Sequence, residues 1–168
     1  MRAPTVVLLV LLFQTSAAHA DELKPFQTQA KQDAERGIKD ALKYAERFCG
    51  APLTATFDFA AYTQEVDAAW KGYGKGAGCA AVIEAIGYTC SGLQYPAYAD
   101  AAKKHVKGVR CTFEGKEQKA IKLVYTVEGL APNLSFDKKT GVFTYHMAMG
   151  HKNVKELAAE YLRKELDK

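Results

Sequence analysis

Cys79, Val82, Ile83, Ile86 and Cys90 recur at intervals of three, one, three and four residues, the spacing that lines up side chains on one face of an α-helix. A helix over 79–91 therefore carries a cysteine at each end of its core-facing stripe. Eleven residues of helix rise roughly 16 Å, whereas bonded cysteines need Cα atoms about 4.4–6.8 Å apart, so these two cannot pair with each other. The remaining cysteines are Cys49 and Cys111, and each is left to fasten one end of the helix. Two connectivities satisfy this: Cys49–Cys79 with Cys90–Cys111, or Cys49–Cys90 with Cys79–Cys111. The first keeps each pair closer in sequence and is the expected one. Either adds about 2–4 kcal/mol per bond.

Oxidised cysteines belong to an exported chain, and residues 1–20 have the form of a leader. Arg2 supplies a positive start, Val6 to Phe13 an apolar run, and Ala18-His19-Ala20 a small-x-small cleavage pattern, so the mature chain is expected to begin near Asp21. No cysteine stands at the cleavage point to carry a lipid, and the apolar run is too short to span a bilayer. The expectation is a soluble periplasmic or extracellular protein with no transmembrane segment in its mature form, and the short leader is bacterial in style. Residues 21–168 then suit a single domain with one core. The whole chain carries 23 Lys and Arg against 19 Asp and Glu, a mild excess that argues against nucleic acid as a partner. Its nine tyrosines suit interfaces, but several fall on core faces.

Residues 22–48 place Phe26, Ala30, Ala34, Ile38, Ala41, Leu42, Ala45 and Phe48 on one side, which predicts a long amphipathic helix ended by Gly50 and Pro52. Its charges read as a solvated face, with Glu35 and Lys39 a favourable pair; a membrane-surface helix is the sharper alternative, disfavoured by balanced charge and an alanine-rich apolar side. Residues 53–59 alternate as a half-buried strand, with Thr54, Thr56 and Asp58 outward. A short helix is expected over 62–70, with Val66, Ala69 and Trp70 inward, then a glycine-rich loop over 72–78. Pro96 opens another helix to about Val106, with Tyr98, Ala101, Ala102 and Val106 inward.

Beyond it the period becomes two. Val109, Cys111 and Phe113 face the core against Arg110, Thr112 and Glu114 outward; Ile121 to Val127, a strand from Leu134 and a return from Val142 to Met147 follow. Asp137-Lys138-Lys139-Thr140-Gly141 has the composition of a hairpin loop closed by a left-handed glycine. Asn153 with Glu156 suggests a capping box for a final helix burying Val154, Leu157, Ala158, Tyr161 and Leu162. The fold class expected is α+β: one domain, an antiparallel sheet of four or five strands covered on one face by helices, with long N- and C-terminal helices and two disulfides.

Chemistry is sparse. Outside the leader the histidines are His105, His146 and His151 and the serines Ser91 and Ser135, and neither serine lies in a G-x-S-x-G elbow. Asp58, Glu65 and Glu84 are scattered carboxylates on which a hydrolase of an extracytoplasmic polymer would depend; Glu84 is the lone charge of its helix, on the side opposite the cysteine stripe, where a solvated position is the simpler account. His146, Met147, Met149 and His151 offer thioether and imidazole donors suited to copper, though Met147 and Met149 also fall on the core side, where methionine is ordinary filler. Lys71 and Lys75 flank the glycine loop, where a helix N-terminus attracts anions, but the G-K-[ST] ending of a phosphate loop is missing. Lys103, Lys104, His105, Lys107 and Arg110 form a basic patch fit for an acidic glycan, an anionic lipid or an acidic partner. No cofactor is expected. These features favour a non-enzymatic exported domain that binds a protein or envelope component, with Tyr73, Lys75, Lys103, Lys104, Lys107 and Arg110 as candidate binding residues and copper binding or polymer hydrolysis as alternatives.

Overall fold

The computed structural model describes residues 23–58, 77–113, 125–126, 129–130, 132–147, 151 and 153–168. Among these, the elements run α1 (Pro25–Cys49), β1 (Thr54–Phe57), α2 (Ala77–Ser91), α3 (Pro96–His105), β2 (Gly108–Phe113), β3 (Tyr125–Thr126), β4 (Gly129–Leu130), β5 (Asn133–Asp137), β6 (Val142–Met147) and α4 (Val154–Leu166). The expected helix over 62–70 and the loop over 72–76 lie outside the described residues. The class is α+β, four helices with a four-stranded sheet and two disulfides.

Helix α1 begins at Pro25 because the ring suits the first helical position and the Gln27 side chain accepts a 2.8 Å hydrogen bond from the Lys24 N–H. It ends where Gly50 turns left-handed at φ 71° and its N–H reaches the Glu46 carbonyl. The buried positions are Gln27, Ala30, Ala34, Ile38, Ala41, Ala45 and Cys49, repeating every eleven residues, a period close to that of a straight helix. Phe26, expected inside, is 46% exposed because Gln27 takes the inward position of that turn. Glu35 lies 3.9 Å from Lys31, one turn before it, instead of pairing with the expected Lys39 one turn after it.

The main sheet has the order β1-β2-β6-β5 and is mixed, which corrects the antiparallel expectation. β1 with β2 and β2 with β6 are parallel; β5 with β6 is antiparallel. Alternation reveals which face a residue takes and nothing about strand direction. Long connections permit parallel pairing, and α2 and α3 together make the crossover from β1 to β2. Only the short Asp137–Gly141 connection forces a hairpin. There Asp137 accepts from the Lys139 N–H and the Thr140 hydroxyl, and Gly141 sits at φ 72°, where an added Cβ would meet the His105 carbonyl oxygen at 2.4 Å. Its own carbonyl accepts from Lys107 N–H at 2.8 Å, so the hairpin tip is fastened to the α3–β2 junction.

The disulfides are Cys49–Cys90 and Cys79–Cys111, with Cα separations of 4.9 and 5.9 Å. The Cys79–Cys90 pair is absent, as helix geometry requires, but the preferred Cys49–Cys79 and Cys90–Cys111 connectivity is corrected. The reason is helix direction. Gly37 lies by Ala80, and a Cβ on Gly87 would come within 2.7 Å of the Ala45 Cα; with Cys49 bonded to Cys90, these contacts advance together along both helices, so α1 and α2 run parallel. The end of α1 therefore meets the far end of α2, and Cys79 is left over Cys111 on β2.

α2 is the hub, packed on α1, α3, α4, β2 and β6. Val82, Ile83, Ala85, Ile86 and Thr89 are all buried, and Thr89 satisfies its hydroxyl on the Ala85 carbonyl, so the helix is enclosed on more than the one predicted side. Phe143, Tyr145 and Met147 of β6 and Val109 and Cys111 of β2 meet the helices, joined by Val106, Ala158 and Leu162. At α4, Asn153 occupies the cap position but at φ 51°, without a side-chain cap bond. A capping side chain needs extended backbone at that residue, which corrects the capping-box reading.

Candidate functional site

Each strand of the sheet sends alternate side chains to opposite faces. Since one face carries the core, the other carries what remains: Thr54 and Thr56 from β1, Arg110 and Thr112 from β2, Thr144 and His146 from β6, and Asn133, Ser135 and Asp137 from β5. The register aligns them. Thr56 pairs with Arg110, Arg110 with Thr144, and Thr144 with Ser135, giving one row across all four strands that spans roughly 14 Å at the usual interstrand spacing. Thr54, Gly108, Val142 and Asp137 form the row beside it, and Thr112, His146 and Asn133 part of a third.

An open groove of about 360 Å³ follows the first two rows, lined by Thr54, Thr56, Arg110, Ser135, Asp137 and Thr144 among others. Thr54, Thr56, Arg110, Ser135 and Asp137 are exposed. The Arg110 guanidinium has no hydrogen bond or ion pair among the described residues. Five donors in a planar fork thus stand in the middle of the face with hydroxyl groups on the flanking strands. Asp137 closes one end. Its carboxyl is held below the usual carboxylate range by the Thr140 hydroxyl and then the Lys139 N–H. The Lys107 stem crosses Gly141, where an added Cβ would lie 2.7 Å from its Cγ, at the hairpin tip and outside the groove lining. In the third row His146 Nδ1 and Thr112 Oγ1 are 3.1 Å apart.

The basic patch read from the sequence is thereby divided. Arg110 lines the groove and Lys107 lies by Gly141 at the hairpin tip, while Lys103 and Lys104 are exposed on α3, in the helical layer against the opposite face, with Lys103 3.9 Å from Asp100. Tyr73 and Lys75 lie outside the described residues. Of the soft-donor cluster, Met149 lies outside them; Met147 is 7% exposed on the core side, His146 projects to the other side, and His151 Nδ1 is 3.0 Å from the Tyr145 hydroxyl. The structure does not bring His146 and Met147 together. Among the described residues no group of three His, Cys, Asp or Glu side chains is arranged to hold a metal ion.

Glu84 is half-exposed and receives a 3.0 Å hydrogen bond from Lys155 of α4, which raises the lysine pKa; it is an ion pair between helices, away from the groove. Asp58 is exposed beyond the end of β1, and Glu65 lies outside the described residues. The groove residues that sequence reasoning left unassembled are Thr56, Thr144, Ser135 and Asp137. The outward phase of Thr56 was read from alternation in β1, and Thr144, Ser135 and Asp137 follow the same alternation in β6 and β5, but their adjacency depends on strand order. No helix among the described residues is long and apolar enough to cross a membrane. Comparison with protein-family models, with curated proteins and with solved structures finds no match to this chain.

Proposed function

We propose that the mature chain is an exported, non-enzymatic domain of a bacterial envelope or its surroundings that binds an envelope component or a protein through the open face of its sheet. The observation that carries this reading is the in-register row Thr56–Arg110–Thr144–Ser135, with an exposed guanidinium that makes no ion pair among the described residues. Threonine is favoured on any solvated strand face, so the guanidinium carries the reading: a fork of donors left without an internal partner among the described residues is the equipment of polar recognition. Two buried disulfides suit an oxidising compartment, and they hold the helical layer so that the strands present a rigid platform.

The test is photocrosslinking in cells that make the protein, with a benzophenone amino acid replacing Thr56 on the open face or Lys103 on the helical layer. Adducts from position 56 and none from position 103 are expected. Adducts from position 103 alone would return the binding site to the basic helix and contradict the reading.

A further inference from the structure

The open face also indicates a ligand class, and the inference rests on the binding role proposed above. We infer that the groove takes an acidic polysaccharide, laid across the strands, with the carboxylate of one uronic acid unit on Arg110. A guanidinium fork matches a carboxylate through two parallel hydrogen bonds, and Arg110 is exposed without an ion pair among the described residues. Thr56 and Thr144 stand one strand away on either side of it and Ser135 two strands away, so a ligand crossing the strands meets a hydroxyl at each step. Sugar hydroxyls are both donors and acceptors, as are these side chains.

The charges set the position of the anionic group. Asp137 at one end of the groove is already engaged with Thr140 and Lys139 and repels a second carboxylate, whereas Arg110, the cation that lines the groove, attracts one. The same face disfavours other occupants. Val109 and Val142 are the aliphatic residues in a lining otherwise made of threonines, Arg110, Ser135 and Asp137, too few to bed an acyl chain, and an extended peptide recognises a sheet by adding to its edge strand, with pockets for alternate side chains, more than by lying on its face.

The experiment is calorimetric titration of the exported, oxidised protein with tri-galacturonic acid, using the methyl ester of the same trimer as the uncharged counterpart. The acid should bind, and the ester should bind about tenfold or more weakly, since it lacks the charge-assisted pair. Arg110→Ala should weaken the acid by a similar factor. Arg110→Lys should restore little of it, because an ammonium cannot bridge both carboxylate oxygens. Thr56→Val and Thr144→Val should each cost about threefold or more, the loss of one neutral hydrogen bond, while Lys103→Ala and Lys104→Ala should bind as the wild type does. Equal affinity for acid and ester, an Arg110→Ala variant that binds normally, or no binding of the acid overturns the inference. Crosslinks from position 56 to a protein, with no uronate binding, would remove the glycan and leave the open face as the binding surface; absence of both would remove both.

Discussion

The two faces of the sheet are made from the same strands and differ in almost every other respect. On β6, Phe143 and Tyr145 are within 2% of full burial, while Thr144 between them lines the groove. On β2, Cys111 is bonded to α2, while Arg110 before it is exposed and makes no ion pair among the described residues. One face is enclosed by helices and locked to them; the other exposes Thr54, Thr56, Arg110, Ser135 and Asp137 in its first two rows. A change of one residue along a strand therefore moves from the part of the molecule that sets stability to the part assigned to binding.

The largest expected effect comes from the covered face. Phe143→Ala removes a ring that packs edge-on against Tyr161 and should cost about 3–5 kcal/mol in chemical denaturation; a loss under 1 kcal/mol would mean the two faces are not distinct. Replacing Cys79 and Cys111 together by alanine should cost about 2–5 kcal/mol. A smaller cost, about 1–3 kcal/mol, is expected for Gly87→Ala, whose methyl would press on the Ala45 backbone. If that variant melts like the wild type, α1 and α2 are not in the close parallel contact described.

Smaller effects lie at the surface. Glu84→Gln breaks the pair with Lys155, which is well exposed at both ends, and should cost under about 1 kcal/mol. Its pH dependence has a definite sign. The lysine pKa is raised in the folded state by the Glu84 hydrogen bond, so its contribution is full below the ordinary lysine value and disappears as pH rises through the raised one. A pair that instead weakened only in this alkaline window in both wild type and Glu84→Gln would not be this pair. Smallest of all, Arg110→Ala should change stability by no more than about 0.5 kcal/mol, since Arg110 makes no hydrogen bond or ion pair among the described residues.

What was legible in the sequence was local. The stripe from Cys79 to Cys90 ruled out one disulfide pairing before any coordinates, Gly141 announced the hairpin, and alternation put Val109 and Cys111 on one side of β2 and Arg110 and Thr112 on the other. What was not legible was relative direction. Whether α1 and α2 run parallel, and whether β1 joins β2 in parallel, is a matter of relative direction that no periodicity describes, and the preference for near-sequence cysteine pairs failed for that reason. The candidate face suffered in the same way. Arg110 was singled out with Lys103, Lys104 and Lys107 because they are close in sequence, yet the α3–β2 junction sends Arg110 and the two α3 lysines to different layers. Thr144 and Ser135 join Arg110 only through strand order.

The most direct test of a binding face on one side and a structural face on the other is the map of backbone amide shifts during titration of isotope-labelled protein with tri-galacturonic acid. Shifts confined to the neighbourhood of Thr56, Arg110, Thr144 and Ser135 are the predicted result. A spectrum that does not change would remove the uronate ligand, whereas shifts centred on Lys103 and Lys104 would contradict the assignment of binding to the open face.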